Sequence, residues 1–228
     1  MKPKQSEEAA SRRDFLKATA PAAILGGLAL PNVHAAGSDV IRVGVIGCGG
    51  RGEAAAQNAM NAGKDVHIVA MGDLLLDRIQ EKRTALKLKY SDQVDVPNDR
   101  CFTGFDAYQR VIEASDVVII ANAAKFHALH ARTAIDAGKH VFVEKPHAID
   151  PVGIKTLRAA CELAKTKGLS MVSGLQSRYH PGYIDVMKRV HEGAIGDIVA
   201  IQETWLREPY VLYPRRPGMN EVEYQASN

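Results

Sequence analysis

Short β-branched runs alternate with longer segments of helical periodicity along most of this chain. Val40–Ile46, Val66–Met71, Val117–Ala121, His140–Glu144 and Ser170–Ser173 are rich in Val and Ile and bounded by Gly, Asp or Asn, the pattern of buried strands. Between them, Glu53–Ala62, Leu75–Leu88, Asp106–Ala114, His127–Ala137 and Pro151–Lys167 repeat apolar residues near i, i+3 and i+4, which predicts helices. Ala137-Gly138-Lys139 and Lys167-Gly168 read as helix C-caps, where glycine accommodates the left-handed conformation. Regular strand–helix alternation predicts an α/β fold, a doubly wound parallel sheet with helices on both faces.

After Gly174 the rhythm changes. Pro181–Glu192 reads as a helix ended by Gly193, Gly196-Asp197 as a turn, and Ile198–Trp205 as a longer alternating strand. The tail beyond Glu208 carries Pro209, Pro214 and Pro217 and shows no closing element. A single alternating strand cannot bury its apolar face alone. The expectation is therefore a nucleotide-type domain over 39–175, then the start of an α+β substrate and oligomerisation domain over 176–228 that the chain leaves incomplete.

Composition adds limits rather than identity. With 228 residues, 46% hydrophobic and 24% charged, the chain has an ordinary globular balance. A net charge of +3 is too small to suggest a nucleic-acid footprint. Much of that charge belongs to the first 35 residues, where Lys2, Lys4, Arg12, Arg13 and Lys17 face only Glu7, Glu8 and Asp14. Cys48, Cys101 and Cys161 are widely spaced without a CxxC or His/Cys cluster, against both a disulfide framework and structural zinc.

The same N-terminal segment has three ordered parts. Ser11-Arg12-Arg13-Asp14-Phe15-Leu16-Lys17 is basic, Ala22–Leu30 is mildly apolar, and Val33-His34-Ala35 supplies a small-x-small cleavage pattern after Pro31. Residues 1–35 thus resemble a twin-arginine (Tat) signal peptide. A membrane anchor fits poorly, because the apolar run is short and flanked by Pro21 and Pro31. The resemblance implies an exported, periplasmic-type location and the Tat machinery as a partner.

The strand ending at Ile46 runs into Gly47-Cys48-Gly49-Gly50-Arg51-Gly52 and then a helix. This is G-x-G-x-x-G in its required setting. Gly47 would make the tight turn, Gly49 would let backbone approach a pyrophosphate, and Gly52 would let helix and strand pack closely. Gly50 and Arg51 open the helix, whose unpaired N–H groups favour anions. Asp73 closes the second strand about twenty residues after Gly52, where an acid can hydrogen-bond the ribose hydroxyls of NAD. No basic residue follows it before Arg78, which favours NAD over NADP.

Glu144-Lys145-Pro146 then stands at the carboxyl end of a parallel strand, the edge where doubly wound sheets bind ligands. Together with the glycine loop, His127 and the stretch Gln176-Ser177-Arg178-Tyr179-His180-Pro181, this resembles the Gfo/Idh/MocA oxidoreductases. The resemblance implies a Rossmann-type domain and an NAD-dependent enzyme that acts on CH–OH groups of a sugar, sugar derivative or cyclitol, homo-oligomeric when full-length. It implies contact of Lys145 with nicotinamide and substrate, where its ammonium can stabilise a developing alkoxide. The cofactor set adds Asn122, His127, Glu144 and Gln176; His147, Arg178 and Tyr179 are placed near substrate. The family often has Ala-Thr-Pro where this chain has Ala121-Asn122-Ala123.

Blander readings stand beside these. Glu144-Lys145 can be a strand-end ion pair, His147 a loop histidine, and Arg178 and Tyr179 domain-junction packing. His127 and His130 lie at i, i+3 without a visible third ligand, so helix-start or cofactor packing is favoured over metal, and no metal is assigned. Export adds one constraint: outside the cytoplasm there is no NAD pool, so the cofactor would be tightly held and restored within each cycle. A net oxidoreductase and a redox-assisted glycoside hydrolase both satisfy it, and a non-catalytic nucleotide-binding protein is the third possibility.

Overall fold

The computed structural model describes residues 40–206, 208, 212 and 214–227. The export-signal reading of 1–35 falls outside them. The first strand, β1 (Ile41–Ile46), is followed by α1 (Gly50–Ala62), β2 (Val66–Asp73), α2 (Leu76–Lys89), β3 (Cys101–Thr103) and α3 (Ala107–Ala114). The second half continues with β4 (Val117–Ile120), α4 (His127–Asp136), β5 (His140–Val143), α5 (Pro151–Thr166) and β6 (Met171–Ser173). All six strands pair in parallel in the order β3-β2-β1-β4-β5-β6. This is the Rossmann order, whose direction reverses between β1 and β4 and opens a crevice at their carboxyl ends.

Both faces of the sheet are buried, as the near-continuous Val/Ile runs require. On one face Val43, Val45, Ile68 and Ile119 pack with Ala55, Ala56 and Met60 of α1 and Ile79 and Leu86 of α2. On the other, Val118, Ile120, Val141 and Val143 meet Val111 and Ile112 of α3, Ala131 and Ile135 of α4, and Leu157 and Ala160 of α5. Each fully buried Val, Leu, Ile or Met among them stabilises the fold by about 1.5–3 kcal/mol. Gly138 and Gly168 take positive φ at the ends of α4 and α5, as the caps predicted. The start of α5 is fixed by the Asp150 carboxylate, which accepts the Gly153 N–H at 2.6 Å, with Pro151 at the first helical position.

Three features differ from expectation. Strand β3 is too short to show as a run in the sequence; it forms because Met71–Asp73 of β2 offers it an edge and Phe102 is buried. Beyond β6, a 3-10 turn (Gln176–Tyr179) leads into α6 (Pro181–His191), but Ile198–Trp205 forms no strand. Among the described residues nothing pairs with it, and Val199, Ile201 and Trp205 remain exposed. The tail does contain an element, α7 (Glu221–Ser227). It starts at a reciprocal capping box: Glu223 N–H donates to Asn220 Oδ1, and Asn220 N–H donates to Glu223 Oε2.

Candidate cofactor and active site

The glycine loop is closed on its inner side and open on its outer side. Gly47 has φ +94°, and a Cβ there would lie 2.5–2.7 Å from the backbone of Ala121 and Asn122. A Cβ on Gly52 would lie 1.9 Å from the Gly47 carbonyl oxygen. Gly49 and Gly50 would meet nothing within 4 Å. No side chain caps the first turn of α1, so its N–H groups are left for an anion.

Asp73 anchors this loop to β2. Its Oδ2 accepts the Cys48 N–H at 2.7 Å and its Oδ1 accepts the Leu75 N–H at 3.2 Å. Each oxygen retains a lone pair for a further donor. The Cys48 thiol is buried against Gly72 O, and burial, reinforced by the Asp73 charge, pushes it far above the ordinary range. It is a packing residue and not a nucleophile.

A cleft of about 470 Å³ opens here, lined by Gly47, Gly49, Asp73 and Asn122 and by an aromatic wall of Phe105, Tyr108, Phe126 and His130. Arg78 and Lys125 also line it, as do Glu221, Val222 and Gln225 of α7. His130 is buried and stacked on Tyr108, with ring centroids 4.0 Å apart. Burial, with His127 adding to it, lowers its pKa to about 4. Its Nδ1 stands 3.2 Å from Asn122 Nδ2, and Asn122 Oδ1 is buried with no hydrogen-bond partner among the described residues.

His127 ties two loops together. Its ring nitrogens lie 2.8 Å from Pro146 O and 2.9 Å from Asn122 O, joining the segment after β4 to the segment after β5. With these nitrogens on backbone carbonyls, the ring serves the scaffold. Among the described residues no group of three or more His, Cys, Asp or Glu is placed to hold a metal ion.

Glu144 is only 3% exposed. Its Oε1 accepts from Arg51 Nε at 2.7 Å, and the Arg51 terminal nitrogen pairs with the same oxygen. Gly174 completes the enclosure, since a Cβ there would sit 2.5–2.8 Å from the carboxylate. The next residue, Lys145, is exposed and has no hydrogen-bond or ion-pair partner among the described residues. The bland reading of Glu144-Lys145 as an ion pair with itself is thus replaced: the acid is taken by Arg51 and the lysine is left available. His147 Nε2 lies 2.6 Å from Ser173 Oγ.

Gly47, Gly49, Asp73 and Asn122 therefore share one cleft, while Glu144, Lys145 and His147 follow the end of β5 and Arg51 reaches Glu144 from the first turn of α1. Gln176, Arg178 and Tyr179 lie on the exposed 3-10 turn after β6 and do not line that cleft. The aromatic wall escaped the sequence reading, because isolated aromatics after β3 and β4 carry no periodic signal.

Residues 41–174 match the family model described as an oxidoreductase family with an NAD-binding Rossmann fold, GFO_IDH_MocA. The chain belongs to the Gfo/Idh/MocA oxidoreductase family. The matched segment runs from β1 to Gly174 and so contains the glycine loop, Asp73, Asn122, His127 and Glu144–Lys145–Pro146. Among relatives, the inositol 2-dehydrogenase/D-chiro-inositol 3-dehydrogenase of Halalkalibacterium halodurans is 32% identical over 167 residues, covering 71% of this chain and 43% of that protein. A glycosyl hydrolase family 109 protein of Solibacter usitatus is 27% identical over 201 residues, covering 82% and 44%. The solved myo-inositol 2-dehydrogenase of Lactobacillus plantarum superposes with a TM-score of 0.56 at 25% identity, covering 70% and 43%. The chain spans less than half the length of each.

Proposed function

We propose that this chain is the dinucleotide-binding part of an NAD-dependent oxidoreductase acting on a CH–OH group of a sugar, sugar derivative or cyclitol. The observation that carries it is the division of labour at the end of β5. Glu144 is enclosed by Arg51 and Gly174, which orients the strand end, while Lys145 is exposed and has no partner among the described residues.

The residues present fit a dinucleotide. Gly49 leaves open space for backbone approach, α1 offers uncapped N–H groups to the pyrophosphate, and Asp73 retains lone pairs for ribose hydroxyls. Asn122 Oδ1 is a buried acceptor awaiting a donor. The Asp73 carboxylate opposes a 2′-phosphate, which favours NAD. Bound there, the nicotinamide would accept or return a hydride. Lys145 Nζ would donate a hydrogen bond to the substrate hydroxyl oxygen and stabilise negative charge on it as the hydroxyl proton passes to water.

The reading includes a tightly held cofactor, export through the Tat pathway directed by Arg12-Arg13, and homo-oligomerisation. The glycosyl hydrolase family 109 relative supports a second outcome, in which oxidation is transient and a glycosidic bond is broken before reduction back. Purified protein is denatured and the released nucleotide is identified by absorbance and mass; NAD is expected, and NADP or no nucleotide would count against the tightly held NAD. Aryl glycosides and free sugars then separate the outcomes: aglycone release without net NADH would replace the simple dehydrogenase. Export predicts a protein beginning near Ala36 outside the cytoplasm, and its retention when Arg12 and Arg13 are both changed to Lys.

A further inference from the structure

Asn122 is fixed twice over. Its backbone is pressed against Gly47, where no Cβ would fit, and its carbonyl lies 2.9 Å from His127 Nε2. Among the described residues its side-chain amide has one partner, His130 Nδ1 at 3.2 Å. The His130 ring cannot turn freely, because it is 5% exposed and stacked on Tyr108 at 4.0 Å and near-parallel to Phe126 at 5.7 Å. With Asn122 Nδ2 donating, Nδ1 must be a bare acceptor and the ring proton sits on Nε2. The consequence is an orphan. Asn122 Oδ1 is buried with no partner in a residue that lines the cleft, an arrangement that protein interiors avoid unless something else satisfies it.

We propose that His130 is a positioning residue: by accepting the Asn122 side-chain N–H, it presents Asn122 Oδ1 to the cleft as the acceptor for a hydrogen-bond donor of the bound dinucleotide. This rests on the dinucleotide reading above, and it assigns to His130 a role exercised through Asn122. Depression of the His130 pKa by burial keeps the ring neutral near pH 7, so Nδ1 remains an acceptor. The stack on Tyr108 and Phe126 supplies rigidity, so the acceptor is oriented before the ligand arrives.

The test is a double-mutant cycle read as NAD affinity by calorimetric titration of the full chain. His130→Phe keeps the ring in the aromatic stack and removes the acceptor; Asn122→Ala removes the oxygen it orients. His130→Phe is expected to weaken NAD binding about 3- to 10-fold, the range for losing one oriented neutral hydrogen bond. In the Asn122→Ala background the same change is expected to alter affinity by less than about twofold. Equal weakening in both backgrounds, or none in either, would overturn the proposal. A measurement on unaltered protein guards against a variant that does not fold. Nitrogen-15 NMR of the imidazole is expected to report the Nε2–H form, and an Nδ1–H form would overturn the proposal by reversing the amide. Absence of NAD binding by the wild-type chain would instead sink the dinucleotide reading, while the tautomer still decides how Asn122 is oriented.

Discussion

The Arg51 guanidinium, in the first turn of α1, reaches across to the Glu144 carboxylate at the end of β5, with Nε 2.7 Å from Oε1. One ion pair thus joins the glycine loop to the residue immediately before Lys145. The geometry makes the two halves of the crevice a single positional unit. Glu144 is buried and Arg51 has a side chain 39% exposed, so the partners are not equivalent.

Removing Arg51 therefore leaves a buried carboxylate without its cation. Arg51→Ala is expected to destabilise the chain by about 2–3 kcal/mol, below the range for a fully buried pair because water reaches the arginine. Glu144→Gln, which removes the buried charge, is expected to be the milder change. Urea unfolding midpoints at pH 7 test the order.

The glycines of the loop should separate into two classes. Gly52→Ala places a methyl 1.9 Å from the Gly47 carbonyl oxygen and should destabilise by about 3 kcal/mol or more, because backbone must move. Gly49→Ala meets nothing within 4 Å and should leave stability within about 0.5 kcal/mol while weakening NAD binding, since Gly49 lines the cleft. Thermal unfolding and titration of the two variants check both halves of the statement.

His130 gives a pH dependence with a definite sign. Its pKa is about 4 in the fold against an ordinary value of 6.5, chiefly through burial and secondarily through His127. The unfolded chain binds the proton first, so this contribution is fully present above about pH 6.5 and is lost as the pH falls toward 4. The total is on the order of 3 kcal/mol. Stability measured by urea unfolding at pH 7, 6 and 5 should decline along this path, and His130→Phe should flatten it. An unchanged slope in that variant would assign the acid sensitivity elsewhere.

Asp73 carries a structural duty, and the proposed function gives it a binding one as well. Asp73→Ala removes the acceptor for the Cys48 and Leu75 N–H groups and is expected to lower stability by about 1–2 kcal/mol as well as NAD affinity. Asp73→Asn keeps one acceptor and removes the charge; it should preserve more stability and narrow the preference for NAD over NADP. Paired titrations with the two nucleotides read that preference.

The order of strands and helices was legible because both faces of the sheet are buried, which turns strands into unbroken Val/Ile runs such as Val117-Val118-Ile119-Ile120. The glycine loop and Asp73 were legible because their spacing follows backbone geometry. What failed depended on partners distant in sequence. Ile198–Trp205 alternates like a strand, yet strand formation needs an edge, and no described residue provides one. Cys101–Thr103 lacks any run, yet β2 supplies an edge and it pairs. Arg51–Glu144 and Asn122–His130 are pairings fixed by the crevice, so composition and periodicity carry no trace of them. The helix at Glu221 did leave a signal, Asn220-x-x-Glu223, which the surrounding prolines obscured.

The most direct test of the account is the equilibrium titration of nucleotide-free chain with NAD and with NADP. Saturable binding of one NAD per chain is predicted, with NADP weaker by about tenfold or more because Asp73 faces its extra phosphate. No saturable NAD binding, or NADP binding as tight as NAD, would contradict it.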